Sequence, residues 1–156
     1  MIRRAQLQDY RRLTALWLTS CRKAHDFIAA DYWQKMSLSV ERDYFPHSET
    51  YVYEDKHQLK GFISLLENNF IGALFVMPQY QNQRVGSKLL RFVRRHRPHL
   101  SLKVFVQNRQ ALAFYQKHDF KIIAEQVDVS TKQKELLLGW AVGCLSGFQP
   151  RRQGDS

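Results

Sequence analysis

Ala73-Leu74-Phe75-Val76-Met77-Pro78-Gln79-Tyr80-Gln81-Asn82-Gln83-Arg84-Val85-Gly86 is the stretch on which the reading of this chain turns. Its first four residues form an apolar strand, and Pro78 stops the strand because proline has no N–H to give a ladder. A polar connection, mostly Gln and Asn, follows. From Val85 the period becomes helical, with Val85, Leu89, Leu90 and Val93 on one face. A strand, a short polar loop with glycine and a helix start leave free backbone N–H groups pointing at one spot. The helix dipole adds partial positive charge there, so the spot suits a phosphate or pyrophosphate. Plain strand-turn-helix packing in an α/β core has the same pattern.

Two phosphate loops are excluded. The P-loop needs Gly-Lys-Ser/Thr after an upstream glycine, whereas the order here is Gly86-Ser87-Lys88 with no such glycine. The dinucleotide fingerprint needs three glycines, and only Gly86 is present. What remains resembles the acetyl-CoA loop of the GNAT N-acetyltransferases, Arg/Gln-x-x-Gly-x-Gly/Ala. Gln81, Arg84 and Gly86 stand at its fixed places, with Arg84 where the family has its first glycine.

Composition bounds the rest. At 156 residues the chain is one domain, long enough to bury a core. With 44% hydrophobic and 13% aromatic residues it is globular, neither disordered nor fibrous. No apolar run approaches the ~20 residues of a membrane span, and the N-terminus lacks the apolar core of a signal peptide. Cys21 and Cys144 are too few for a disulfide framework and show no metal-ligand spacing. The expectation is a cytoplasmic protein with no metal and no membrane partner. The net charge of +10 is concentrated in Arg84, Lys88, Arg91, Arg94, Arg95, Arg97 and Lys103, with no carboxylate among them. Such a block attracts a polyanion such as coenzyme A or RNA; a solvated helix face is the other reading.

Outward from the opening stretch, residues 2–5 read as a first strand. A helix starts at Asp9, with Leu13, Leu16, Trp17 and Cys21 at three- and four-residue spacings. A second helical region begins with Asp26-Phe27-Ile28 and Asp31-Tyr32-Trp33 and is closed by Phe45-Pro46. Residues 50–54 and 59–67 form an antiparallel hairpin, and Asn68-Asn69 turns the chain into the strand at 70–76. A helix at 85–96 precedes Pro98 and a strand at 100–106. Asn108 caps the next helix, and strands at 120–129 and 135–142 close the order β-α-α-β-β-β-α-β-α-β-β. This is an α/β (α+β) fold, a mixed and largely antiparallel central sheet flanked by helices. Residues 1–143 are the domain; 144–156 form a basic tail expected to fray.

The element order also resembles the GNAT fold. The segment Asn108-Arg109-Gln110-Ala111-Leu112-Ala113-Phe114-Tyr115-Gln116-Lys117-His118-Asp119-Phe120 is similar to the family's Asn-x-x-Ala-x-x-Phe-Tyr-x-x-x-Gly-Phe, with Asp119 in place of glycine. His25-Asp26-Phe27-Ile28 and Asp31-Tyr32-Trp33 resemble a bacterial subgroup that includes protein-lysine acetyltransferases. The resemblance implies acetyl transfer from acetyl-CoA, as co-substrate, to a primary amine such as a protein lysine. The first two helices and residues 126–134 would read the acceptor. A CoA-binding regulatory domain without catalysis, motivated by Arg84 and Asp119, is an alternative; so is an acetyltransferase acting on aminoacyl-tRNA. The sequence carries no signal of oligomeric state.

The resemblance also places residues. Pantetheine would pair with the backbone of Leu74, Phe75 and Val76, on a strand splayed from its neighbour. Pyrophosphate would sit on Gln81, Asn82, Gln83, Arg84, Val85, Gly86 and Ser87, with Asn108 near the cofactor. Tyr115 is the candidate acid for the departing thiolate. A lysine amine is mostly protonated at neutral pH, and neutralising it costs roughly 4–5 kcal/mol. A base is therefore expected, Glu67 or His25, acting directly or through water.

Overall fold

The computed structural model describes residues 1–142; the expected tail at 144–156, with Cys144, lies outside the described residues. Seven strands form one sheet in the order β1-β2-β3-β4-β5-β7-β6. They are β1 (Ile2–Arg4), β2 (Glu49–Asp55), β3 (Gln58–Leu66), β4 (Phe70–Val76), β5 (His99–Phe105), β6 (Lys121–Val127) and β7 (Lys134–Ala141). Only β4 and β5 are parallel, and they pair only at Phe70↔Ser101 and Ile71↔Leu102. Beyond Ile71 the two strands part. On its other side β4 stays paired with β3 as far as Gly61↔Val76, and β5 with β7 along its whole length.

Helices α1 (Tyr10–Ala24) and α2 (Ala30–Ser39) cover one face of the sheet. Leu13, Leu16, Trp17 and Cys21 of α1 pack there with Trp33, Phe45, Phe62 and Ala73. Helix α3 (Val85–Arg94) buries Val85, Leu89, Leu90 and Val93 on the other face, with Tyr115 of α4 (Arg109–Lys117) and Phe120 in the same cluster. The α2 helix begins at Ala30, later than the Asp26 start the sequence suggests, because His25, Asp26 and Phe27 form a turn. It ends in a widened turn over Val40–Tyr44.

Gly72 sets the phase of β4. Ser64 pairs with Ala73 and Leu65 with Ile71, so Gly72 is a bulged residue without a partner on β3. Past the bulge, Ala73 and Phe75 join the α1/α2 face, while Leu74 and Val76 pack against the α3 face. A Cβ on Gly72 would strike the Tyr44 hydroxyl, so a larger residue there requires that side chain to shift. At the sheet edge, Asp9 is 2% exposed and accepts from Arg3 at 2.8 and 3.0 Å and from Arg12 at 3.0 Å. The Arg3 guanidinium holds the Asp9 carboxyl well below the usual carboxylate range and ties β1 to the start of α1. No helix among the described residues is long and apolar enough to cross a membrane.

Candidate active site

The parting of β4 and β5 opens a cleft of about 810 Å³. Leu74, Phe75 and Val76 form its floor, and residues from Asn108 to Tyr115 form one wall. Thr19, Ser20, Lys23 and Asp26 form the other, and the loop ahead of α3 lies at the mouth. The β4 backbone beyond Ile71 has no sheet partner toward β5 among the described residues, which leaves its polar groups for a ligand. The volume lies within the range of small-molecule sites, about 300–1,000 Å³.

At the mouth the chain meets the helix without a cap. Arg84, the N-cap residue of α3, lies in the left-handed region at φ 63° and ψ 20°, and its side chain makes no cap hydrogen bond. Lys88 N–H donates to Arg84 O at 3.0 Å, so the N–H groups of Val85, Gly86 and Ser87 precede the intrahelical ladder. Three free donors at the positive end of a helix dipole fit an anionic phosphate. Arg84 adopts the backbone conformation that the glycine of the resemblance would supply, at a cost of about 1 kcal/mol for a residue with a Cβ. The first turn of α3 packs on α4 at Gly86, where a Cβ would lie 3.4 Å from the Phe114 ring, in ordinary contact. Gln81, Asn82, Arg84, Val85, Gly86 and Ser87 all line the cleft. Gln83, exposed between left-handed Asn82 and Arg84, does not line it.

Tyr115 lines the inner cleft, buried, with its ring against Phe114 and Phe120. Burial pushes its hydroxyl well above the ordinary phenol range, so it stays protonated at any working pH. Asn108 caps α4 by accepting from Ala111 N–H at 3.2 Å through Oδ1. That bond fixes the amide orientation, so Nδ2 faces His25 Nε2 at 3.1 Å and donates to it. His25 therefore carries its proton on Nδ1, which finds no partner among the described residues.

The two base candidates lie outside the residues that line the cleft. His25 is buried among Phe27, Trp33 and Phe105, and it does not line the cleft. Burial lowers its pKa to about 4, and its free lone pair is already taken by Asn108. Glu67 is exposed at the β3–β4 junction, beside the Leu66↔Phe70 pair and at the opposite end of β4 from Val76. From Phe70 to Leu74, where the cleft floor begins, the strand runs four residues at ~3.3 Å each, roughly 13 Å.

The basic block is divided by the fold. Lys88 lies over the Tyr53 ring, Arg94 over Phe120 and Trp140, and Arg97 pairs with Glu49. The cations on the cleft are instead Lys23, Arg84, Arg109 and Lys117. Nothing in the local pattern marks Lys23 or Lys117, and Asp26 falls in a segment singled out only by resemblance, because their meeting depends on how α1 and α4 cross the splayed strands. Burial pushes the Cys21 thiol up to about 12, so it is a core side chain and not a nucleophile.

A mixed sheet splayed beside an uncapped helix start, with a buried phenol in the opening, is the architecture of an acyl-CoA-dependent transferase. Residues 46–122 match the family described as Acetyltransferase (GNAT) domain. The chain is 33% identical over 142 residues to the peptidyl-lysine N-acetyltransferase YiaC of Escherichia coli (strain K12), covering 91% of this chain and 97% of that protein. It therefore belongs to the GNAT family of N-acetyltransferases. The solution structure of apo-form YjaB from Escherichia coli superposes with a TM-score of 0.78 at 31% identity, over 92% of this chain and 97% of that one. An aminoglycoside 6′-N-acetyltransferase complexed with coenzyme A shares the fold with a TM-score of 0.69 at 14% identity, over 97% and 99% of the two chains.

Proposed function

We propose that this N-acetyltransferase, a single domain over residues 1–143, moves the acetyl group of acetyl-CoA to the side-chain amine of a protein lysine. The observation that carries the reading is the cleft itself. An open β4 edge, three uncapped N–H groups and four cations converge there on the extended, polyanionic shape of an acyl-CoA. The similarity to a peptidyl-lysine N-acetyltransferase over nearly the whole chain supports the acceptor class.

In this reading Val85, Gly86 and Ser87 N–H groups hold the pyrophosphate, with Gln81, Asn82 and Arg84 around it. The free edge at Leu74, Phe75 and Val76 pairs with pantetheine and offers N–H to the thioester oxygen as charge develops there. The acceptor amine attacks the carbonyl carbon, the C–S bond breaks, and coenzyme A leaves as thiolate. Tyr115 donates a hydrogen bond to that sulfur. Its raised pKa makes full proton transfer uphill, so the phenol positions and stabilises while the amine's own proton completes the thiol. With Glu67 and His25 away from the cleft, water is the proton acceptor for the incoming ammonium.

The test is calorimetric titration with acetyl-CoA, followed by CoA release with a peptide carrying a single lysine. Micromolar binding and lysine-dependent release are expected. Binding without release to any amine would favour a CoA-binding regulatory domain, and tRNA-dependent release would favour the RNA-directed reading.

A further inference from the structure

We infer that Asp26 is the carboxylate through which the cleft reads a cationic acceptor; this deepens the lysine reading above and rests on it. The cleft has an electrostatic conflict to resolve. Lys23, Arg84, Arg109 and Lys117 suit a polyanionic co-substrate, yet they repel a lysine that arrives as ammonium. Asp26 is the sole carboxylate among the lining residues, and it is exposed. It makes no hydrogen bond or ion pair among the described residues. The next carboxylate along the chain, Asp31, is off the cleft and pairs with Lys35 at 3.5 Å.

The backbone holds Asp26 in place. It lies between two residues whose rings are packed, with His25 and Phe27 5.0 and 5.7 Å from Phe105 between centroids. His25 is also tied to Asn108, the residue that starts the opposite wall. The turn is thus pinned on both sides of Asp26, leaving its carboxylate on the cleft surface. It also follows directly on the C-terminus of α1, whose carbonyl end adds negative potential to the same place. An ammonium entering between α1 and α4 meets both. Once coenzyme A covers Arg84, Arg109 and Lys117 across the cleft, Asp26 is the one carboxylate beside Lys23 on the acceptor wall.

The experiment is steady-state kinetics of the full chain with saturating acetyl-CoA and an end-blocked peptide bearing one lysine. Asp26→Asn should raise KM for the peptide about two- to fivefold, the worth of an exposed ion pair, with kcat within a factor of two. Asp26→Lys should raise it further, by tenfold or more. The salt dependence of kcat/KM should flatten in Asp26→Asn, and calorimetric affinity for acetyl-CoA should be unchanged or slightly tighter. Asp31→Asn, off the cleft, should match the wild type. Unchanged KM and salt dependence in Asp26→Asn, with the wild type active on the peptide, overturns this inference alone. No turnover of the peptide by a wild type that binds acetyl-CoA overturns the lysine reading and this inference with it.

Discussion

The two walls of the cleft are built by different physics. The wall formed by the α3 loop and α4 presents backbone: uncapped N–H groups, an open strand edge, and two left-handed residues that shape the loop. Its charged side chains, Arg84, Arg109 and Lys117, are exposed and all cationic. The wall formed by α1 and the following turn presents side chains, with one free carboxylate resting on a buried cluster of His25, Phe27, Trp33 and Phe105. Under the proposed function, recognition of the co-substrate falls to the first and choice of acceptor to the second. Substitutions on the backbone wall should therefore change cofactor affinity and loop stability, and those on the side-chain wall acceptor preference and pH response.

Tyr115 sits where the walls meet and gives the largest expected effect. Tyr115→Phe keeps the ring packing on Phe114 and Phe120 and removes only the donor. It should lower kcat on the order of 100- to 1,000-fold, about 3–4 kcal/mol of barrier, with acetyl-CoA affinity within a factor of two. Equal loss in both would assign Tyr115 to the packing of the backbone wall and erase its place at the junction.

The next effect belongs to the side-chain wall alone. His25 has a folded pKa of about 4 against 6.5 when exposed. The folded state thus refuses a proton that the unfolded chain accepts, and the associated stability is present above pH 6.5. It is lost as pH falls from 6.5 towards 4, by roughly 2–3 kcal/mol. Denaturant unfolding across that window should show the loss, and His25→Gln should remove most of the slope. His118, half-buried and also shifted down, contributes a smaller part in the same direction. Asp9 acts in a separate window, below the ordinary carboxylate pKa. An unaltered slope in His25→Gln would mean that the aromatic cluster admits water.

The same division explains what the sequence discloses. The backbone wall depends on short-range patterns, and so the strand-loop-helix at 73–86, the cap at Asn108 and the Ala-x-x-Phe-Tyr spacing are all readable locally. Strand pairing is less legible: β4 joins β5 through α3 and the two pair in parallel, but β1 joins β2 through α1 and α2 and pairs antiparallel, so a helix between two strands does not by itself set their direction. The side-chain wall depends on where distant elements meet. His25 reads as a loop base, yet it is buried because Phe105, eighty residues on, closes over it. Glu67 reads as a strand-end carboxylate near the site, and only the strand pairing shows that it stands beside the start of β4 rather than beside Val76. Gly72 carried a legible signal, a glycine inside an apolar strand, which marks the bulge that re-phases β4.

The smallest effects separate the two positions where the chain lacks a glycine of the resemblance. Arg84 and Asp119 both have left-handed backbones, at φ 63° and 72°. Asp119 stands just past α4, where its N–H donates to Gln116 O at 3.1 Å and Phe120 N–H to Tyr115 O at 3.0 Å, closing the helix end. A short polar side chain tolerates that conformation far better than a long one. Arg84→Gly should thus stabilise the fold by about 1 kcal/mol, a rise of ~2–4 °C in Tm for a chain of this size, whereas Asp119→Gly should gain a few tenths at most. The affinities should move oppositely. Arg84→Gly removes a cation from the mouth, so acetyl-CoA binding should weaken severalfold and lose part of its salt dependence, while Asp119→Gly should leave it unchanged. A tighter Arg84→Gly complex would mean that the Cβ hinders the pyrophosphate more than the guanidinium attracts it, and the loop would then be a backbone site only. Equal stabilisation by both substitutions would mean that the strain lies in the Cβ itself, whatever polar group it carries.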